Sequence, residues 1–486
     1  MHFSIPDTQE FVDNTGSSYL GYNIHINGLY HCTVRYKQLL NLHEQLVKDL
    51  DMILPSFPPK KFFPLTPNQQ EDRRLGLEKY IQTIGQNAMI NNCELLNSYL
   101  LNAQQESNGR FMEDENFEVF LMNGQSINIK ISTGDNSTNV LKKICQHINL
   151  PEKYYFYFSL FIIIEGENKN INILRRLQDF ESPLLTQSNI DYVGIKVVLG
   201  KNYWNIDNDF TLMENSIALN LLYIQAIAEL NNGWIIVPKK LQSQINDAQE
   251  NDDKCKYLKL IHPLKYYGYI QFATCFCDYP KIGTKVLVAI GRNELSLRII
   301  SDNDEEHEAI FKVTRMRCWR ITTMHNYTDK KDNNITECSL ELSFEYLVAK
   351  NQLQWITISS EQAILMSVCL QSMIDELLLK HHVGASSKLP DVINKSWIYI
   401  MRDGHSRINI GPNSPDNIDK VQKNRQDNET NKSEAVIKKI TDKFTNIKHK
   451  KISVDAKITG RLNRASTSNC DIMENNAFHM IGDEDL

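Results

Sequence analysis

Apolar and polar positions along the chain change period several times. In "YNIHINGLYHCTVRY" they alternate on both sides of Asn27-Gly28, a dipeptide that accepts the two positive φ angles of a tight hairpin turn. The period lengthens to that of a helix in "QLLNLHEQL" and "RRLGLEKYIQTIG". Alternation restarts at "FEVFLMNGQSINIKIS", turning at Asn123-Gly124, before a helix at "STNVLKKICQHI" and strands in "YFYFSLFII" and "VGIKVVLG". "SIALNLLYIQAIAEL" is apolar almost all round, which predicts a buried helix. From residue 269 strand follows strand: "YIQFATCF", "KVLVAIG", "ELSLRII", "AIFKVT", "MRCWRIT", "SLELSFEYL" and "LQWITIS". A long helix, "EQAILMSVCLQSMIDELLLKHH", closes the series, and Ser359 with Gln362 predicts a capping box at its start. Beyond Gly384 the pattern dissolves into Asn, Ser, Asp and Lys, the composition of disorder.

These changes divide the chain into 1–108, a ubiquitin-like α+β unit at 110–203, a helical unit at 204–268, a pleckstrin-type sandwich at 269–384 and a disordered tail at 385–486. The fold class is α+β multidomain. With 486 residues and 42% hydrophobic content there is ample material for several cores. A net charge of −6 argues against a chain-wide nucleic-acid face. The N-terminus "MHFSIPDTQEF" lacks the basic-then-apolar layout of a signal peptide, and no run reaches the length of a membrane span, so a cytoplasmic location is expected. The ten cysteines form no CxxC pair, and Cys275 and Cys277 read as two inward positions of one strand. There is no Gly-rich phosphate loop, HExxH or nucleophile elbow, so neither catalysis, cofactor nor metal is expected.

Candidate chemistry lies in local clusters. "FPPKKFFPLTP" at 57–67 puts lysines beside phenylalanines and a leucine in a stretch whose prolines prevent a helix. Such a loop suits a surface that is both anionic and greasy. Arg35 and Lys37 flank Tyr36, and Arg73 follows a helix start marked by Thr66, Pro67 and Gln69, with Leu77 and Tyr80 facing inward. Convergence of Arg35, Lys60 and Arg73 would make a phosphate site, since arginine's fork donates two hydrogen bonds to phosphate oxygens. Taken singly, each is as well explained as a solvated cation.

Taken in order, "RY" at 35–36, "PPK" at 58–60 and R-x-x-x-L-x-x-Y from Arg73 resemble the phox-homology (PX) domain. The resemblance implies recognition of phosphatidylinositol 3-phosphate: Arg35 on the 3-phosphate, Tyr36 against the inositol, Lys37 beside them, Lys60 on the 1-phosphate and Arg73 on the ring hydroxyls. Phe62, Phe63 and Leu65 would enter the bilayer. The three later units, with "VTRMRCWR", "LQWITI", "CLQSM" and the closing "IGDEDL", resemble a FERM domain in the PX–FERM branch of the sorting nexins. That resemblance implies an endosomal cargo adaptor on the cytoplasmic face of the early endosome membrane. Its third FERM lobe would read Asn-Pro-x-Tyr or Asn-x-x-Tyr/Phe receptor tails by β-augmentation. Trp319 is expected to offer an apolar face to the peptide, with Ile374 and Leu378 on the closing helix as the opposite wall. The terminal Ile481, Gly482, Asp483, Glu484, Asp485 and Leu486 would dock on the retriever complex for recycling to the plasma membrane. A small GTPase is a further partner of the kind ubiquitin-like lobes bind, and a FERM-type membrane–cytoskeleton linker is the alternative function.

Asn475-Asn476-Ala477-Phe478 is itself an Asn-x-x-Phe sequence. Tethering gives it an effective concentration of order mM, so the tail is expected to fold back on the groove intended for cargo.

Overall fold

The computed structural model describes residues 1–12, 16–50, 52–61, 63–109, 114–166, 171–300, 307–326, 337–382, 397–410 and 472–480. The first unit is a small antiparallel sheet built on the hairpin of strands Ser18–Ile26 and Leu29–Arg35. Its turn has Asn27 at φ 49° and Gly28 at φ 86°, as the dipeptide predicts. Helices Tyr36–Asp49, Pro67–Gln86 and Glu94–Ser107 cover the sheet, burying Leu39, Leu42, Leu77, Tyr80 and Leu100. Thr66 and Gln69 form the expected capping box on the second helix.

The second unit is a five-stranded sheet in which Glu115–Leu121 pairs in parallel with Ile195–Lys201, crossed by helix Ser137–His147. Helices Ser216–Asn231, Lys239–Glu250 and Lys254–Ile261 make up most of the third. The fourth is an antiparallel sheet system running from Ile270 to Ser359 and closed by helix Ala363–His382. Cys275 and Cys277 point inward and Phe276 outward, as alternation requires. The start of the closing helix departs from expectation. Ser359 ends a strand and its hydroxyl binds Glu341, while Gln362 accepts from Ala273 N and donates to Ile173 O. Gln362 therefore ties three elements together instead of capping one.

The units share cores across their sequence boundaries. Phe180 of the ubiquitin-like unit is buried in the core of the first unit, its ring perpendicular to His31 at 5.8 Å. Beside it Gln104 Nε2 donates to Thr186 Oγ1 at 2.8 Å, and Ser182 N donates to Gln104 Oε1 at 2.8 Å. Beneath these lies a fully buried bidentate pair, with Arg175 donating to the two Glu181 oxygens at 2.5 and 2.7 Å. Burial pushes the Glu181 carboxyl up, but Arg175 outweighs it and holds the group below its ordinary range.

Within the tail of 385–486, two described stretches have structure that composition alone did not predict. Strands Trp397–Ile400 and Arg407–Ile410 form a hairpin against the first unit, and strand Met473–Glu474 with the 3-10 turn Asn476–Met480 lies on the fourth. Each finds in a distant unit the apolar contact that its polar neighbours in sequence cannot supply.

Burial has a consequence for pH dependence. It pushes both His2 and His31 down to about 4 from the ordinary 6.5; at His2 the N-terminal charge adds to this, and at His31 Glu181 opposes it. Both histidines are neutral in the fold, so their contribution is complete above pH 6.5 and is lost as the pH falls towards 4. By pH 5 each costs on the order of 2 kcal/mol. Thermal unfolding should therefore shift downward between pH 7 and pH 5, and His31→Gln should reduce that shift. An identical shift in the variant would contradict the assignment.

Candidate functional site

Arg35 ends a strand and Tyr36 opens the following helix, where Gln38 Oε1 accepts from Arg35 N at 2.8 Å. The Arg35 guanidinium lies 4.2 Å from the Tyr19 ring centroid. Tyr36 is pinned by its hydroxyl, which donates to Pro58 O at 2.8 Å, and Arg73 stacks over its ring at 4.5 Å. These residues, with Phe63 and Leu65, line one cavity of about 340 Å³. Arg73 Nη2 is buried there with no hydrogen-bond partner among the described residues, a donor suited to a ligand oxygen.

The sequence-predicted residues are thus mostly convergent, with differences. Arg35, Tyr36, Arg73, Phe63 and Leu65 share the cavity. Lys60 is exposed on the proline loop outside the cavity lining. Lys37 stands beside Arg35 and outside the cavity lining, donating to Gly404 O at 2.7 Å. Burial first, then the charges of Arg35, Arg407 and Lys60, lowers the Lys37 pKa. Cations clustered closely enough to disfavour one another's charge favour an anion among them. Phe63 is 81% exposed at the rim, whereas Leu65 is half-buried. Phe62 lies outside the described residues. Glu10, Ser18, Tyr19, Leu20, Tyr22, Pro64 and Gln70 complete the lining and were not predicted; nothing local in their sequence marks them.

The second site is a groove between strand Met316–Asn326 and helix Ala363–His382. Trp319 lies beneath the tail strand Met473–Glu474, whose Met473 pairs with it. Trp319 is 0% exposed, and its Nε1 donates to Ser367 Oγ at 2.9 Å. A register shift at Arg317 resets the strand so that Trp319 and Ile321 face the core while Arg320 faces out over Trp355. Arg317 occupies the shifted position and Arg320 the opposite face. Trp319 is the floor of the groove. Ile374 is buried core and Leu378 packs partly buried against it.

The chain's own tail fills the groove. Met473 and Glu474 pair antiparallel with Trp319 and Cys318, extending the sheet by one strand. Asn475 is 4% exposed, and its side chain is fully used. Nδ2 donates to Val313 O at 2.8 Å and Met316 O at 2.6 Å, while Oδ1 accepts from Ala477 N at 2.9 Å. Its backbone N donates to Arg317 O at 3.0 Å, and its O accepts from Phe478 N at 3.1 Å. Aspartate or alanine could not supply two donors and an acceptor at once. Ala477 is completely buried, and the 3-10 turn packs against the closing helix. Residues 481–486 lie outside the described residues.

Four family models match the chain: PX domain over 22–103, the F1 lobe of the sorting nexin 17/27/31 FERM domain over 115–204, the F2 lobe of the sorting nexin 17/31 FERM domain over 205–265, and the sorting nexin 17 FERM C-terminal domain over 268–378. Sorting nexin-17 of Danio rerio is 37% identical over 492 residues, covering 100% of both chains. Sorting nexin-17 of Homo sapiens is 43% identical over 395 residues, covering 80% of this chain and 84% of the relative. Sorting nexin-31 of Homo sapiens is 32% identical over 382 residues, covering 78% and 86%. Among the described residues no helix is long and apolar enough to cross a membrane. The chain belongs to the sorting nexin 17/31 group of PX–FERM sorting nexins, a non-enzymatic family of endosomal sorting adaptors with a phosphoinositide-binding PX domain.

Proposed function

We propose that the protein is a cargo adaptor that joins two weak contacts at the endosome surface. The PX cavity binds the headgroup of phosphatidylinositol 3-phosphate, with Arg35 on the 3-phosphate, Arg73 on ring hydroxyls and Lys60 on the 1-phosphate. Phe63 and its loop enter the bilayer. The groove over Trp319 takes receptor tails carrying Asn-Pro-x-Tyr or Asn-x-x-Tyr/Phe, and residues 481–486 pass the cargo to retriever for return to the plasma membrane. The observation that carries this reading is the seating of Asn475, whose side chain leaves no donor or acceptor unused. A receptor asparagine would meet the same carbonyls of Val313 and Met316, and an Asn-Pro turn would reproduce the bond between Phe478 N and Asn475 O by presenting its aromatic three positions on.

The same occupancy makes the tail a competitor of cargo. A tethered segment at an effective concentration of order mM excludes weak ligands until they outnumber it or are concentrated on a membrane. Flotation of the full chain with vesicles bearing phosphatidylinositol 3-phosphate tests the lipid half. Binding to these vesicles but not to phosphatidylcholine alone, with loss in Arg35→Ala, is the expected result.

A further inference from the structure

The hairpin 397–410 stands some 360 positions from the PX cations in sequence, yet it is built into the PX unit. Tyr399 is 1% exposed, with its ring 5.5 Å from that of Tyr99 and its hydroxyl donating to Glu106 at 2.7 Å. Gln38 Nε2 donates to Tyr399 Oη at 3.0 Å and to Ile400 O at 2.9 Å. Gln45 serves as a surrogate strand partner, its side chain exchanging two bonds of 2.8 Å with the backbone N and O of Ile398. Trp397 Nε1 donates to Asp49. Arg402 N donates to Glu106 Oε1 at 2.6 Å.

This anchoring fixes the hairpin tip against two of the phosphate-site cations. Gly404 O accepts from Lys37 Nζ at 2.7 Å, and Arg402 O accepts from Arg35 Nη1 at 3.4 Å. The tip is rigid in its own right. Asp403 Oδ1 accepts from His405 N and Ser406 N, both at 2.8 Å, and Gly404 sits at φ +80° where a side chain would be strained. A Cβ on Gly404 would come within 3.4 Å of Arg35 Nη1.

We propose that the 397–410 hairpin is a detached part of the lipid-binding unit, whose Arg402 and Gly404 carbonyls position Arg35 and Lys37 for the phosphate. This rests on the reading of the cavity as a phosphoinositide site. One carbonyl takes one of the three donors of a lysine ammonium and one of the five of a guanidinium, so most donors stay available to phosphate oxygens. A free lysine or arginine loses side-chain entropy when a ligand orders it, and here folding has already met much of that cost. The hairpin residues are positioning residues and do not line the cavity themselves.

The test uses the full chain and phosphatidylcholine vesicles with or without phosphatidylinositol 3-phosphate. Arg35→Ala should abolish the lipid-dependent binding; if it does not, the underlying reading of the cavity fails. Tyr399→Ala withdraws the plug and should weaken binding about 5- to 10-fold, the scale expected for two side chains left to be ordered on binding. Because Tyr399→Ala can also unsettle the core, Asp403 provides a second arm at the surface. Asp403→Ala removes the tip's acceptor and should weaken binding about threefold, whereas Asp403→Asn keeps an acceptor and should bind at least as well as the parent. If Arg35→Ala abolishes binding but the Asp403→Ala protein, or a folded Tyr399→Ala protein, binds as tightly as the parent or more tightly, the hairpin is a bystander or a competitor. The proposal is then overturned.

Discussion

Asn475→Ala should raise the affinity of the full chain for a soluble Asn-Pro-x-Tyr peptide about tenfold. The side chain makes three hydrogen bonds with the groove and its own turn. At about 1 kcal/mol net for each, their loss weakens docking of the tail by roughly two orders of magnitude. Two carbonyls of the third lobe would also be left without their donor in a buried place, which adds to the penalty of re-docking. A tail with an effective concentration of order mM and modest intrinsic affinity occupies the groove most of the time, so its release unmasks the site. The melting temperature should hardly move, because the tail segment adds only one short strand at a sheet edge. Fluorescence anisotropy with a labelled peptide reads the change. Equal affinities for the two proteins would show that the tail does not compete, and a loss in the variant would show that it assists.

The largest effect on stability is expected at Glu181. Glu181→Ala leaves Arg175 charged and unpaired where its side chain is 2% exposed, a class of change that costs about 3–5 kcal/mol. The same carboxylate accepts from Thr186 Oγ1 at 2.9 Å, and Thr186 binds Gln104 of the PX unit. The damage should therefore reach the seam between PX and F1 and not stay within one lobe. Chemical denaturation should show the loss, with exchange protection falling in both Pro183–Ser188 and Glu94–Ser107. The double change Arg175→Met with Glu181→Leu should recover much of the stability, since an apolar pair of similar size needs no charge compensation. Recovery marks the cost as an unpaired charge. A double variant as unstable as Glu181→Ala would place the cost in packing instead.

Local rules were legible wherever the chain itself imposes a conformation. Asn27-Gly28 turns a hairpin because few other pairs tolerate its two positive φ angles, Gly124 supplies the single positive φ of the second hairpin's turn, and Thr66 with Gln69 starts a helix because both capping partners lie within four residues. The PX cations were legible as an ordered motif, and Arg35, Tyr36 and Arg73 do meet at one cavity. What failed depends on partners distant in sequence. That Trp319 would be sealed beneath the chain's own tail strand could not be read from its neighbours, because the shifted register and the alternation of the strand set Arg317 and Arg320 apart from it. Ser359 and Gln362 have capping spacing, yet each finds a better partner in another element. Asp403-Gly404 was a hairpin signal between two alternating runs, obscured by the polar composition around it. That Tyr399 would enter the PX core, or Phe180 from the other side, is written in no local pattern.

The account stands on the summation of two weak contacts, and one measurement addresses it directly. The full chain is titrated onto vesicles carrying phosphatidylinositol 3-phosphate, a membrane-tethered Asn-Pro-x-Tyr peptide, or both. Vesicles with both should be bound at least tenfold more tightly than vesicles with either alone, because the second contact forms on a protein already held at the surface. Arg35→Ala should reduce the dual vesicles to the level of peptide alone. Binding to the dual vesicles no tighter than to the better single one would contradict the account.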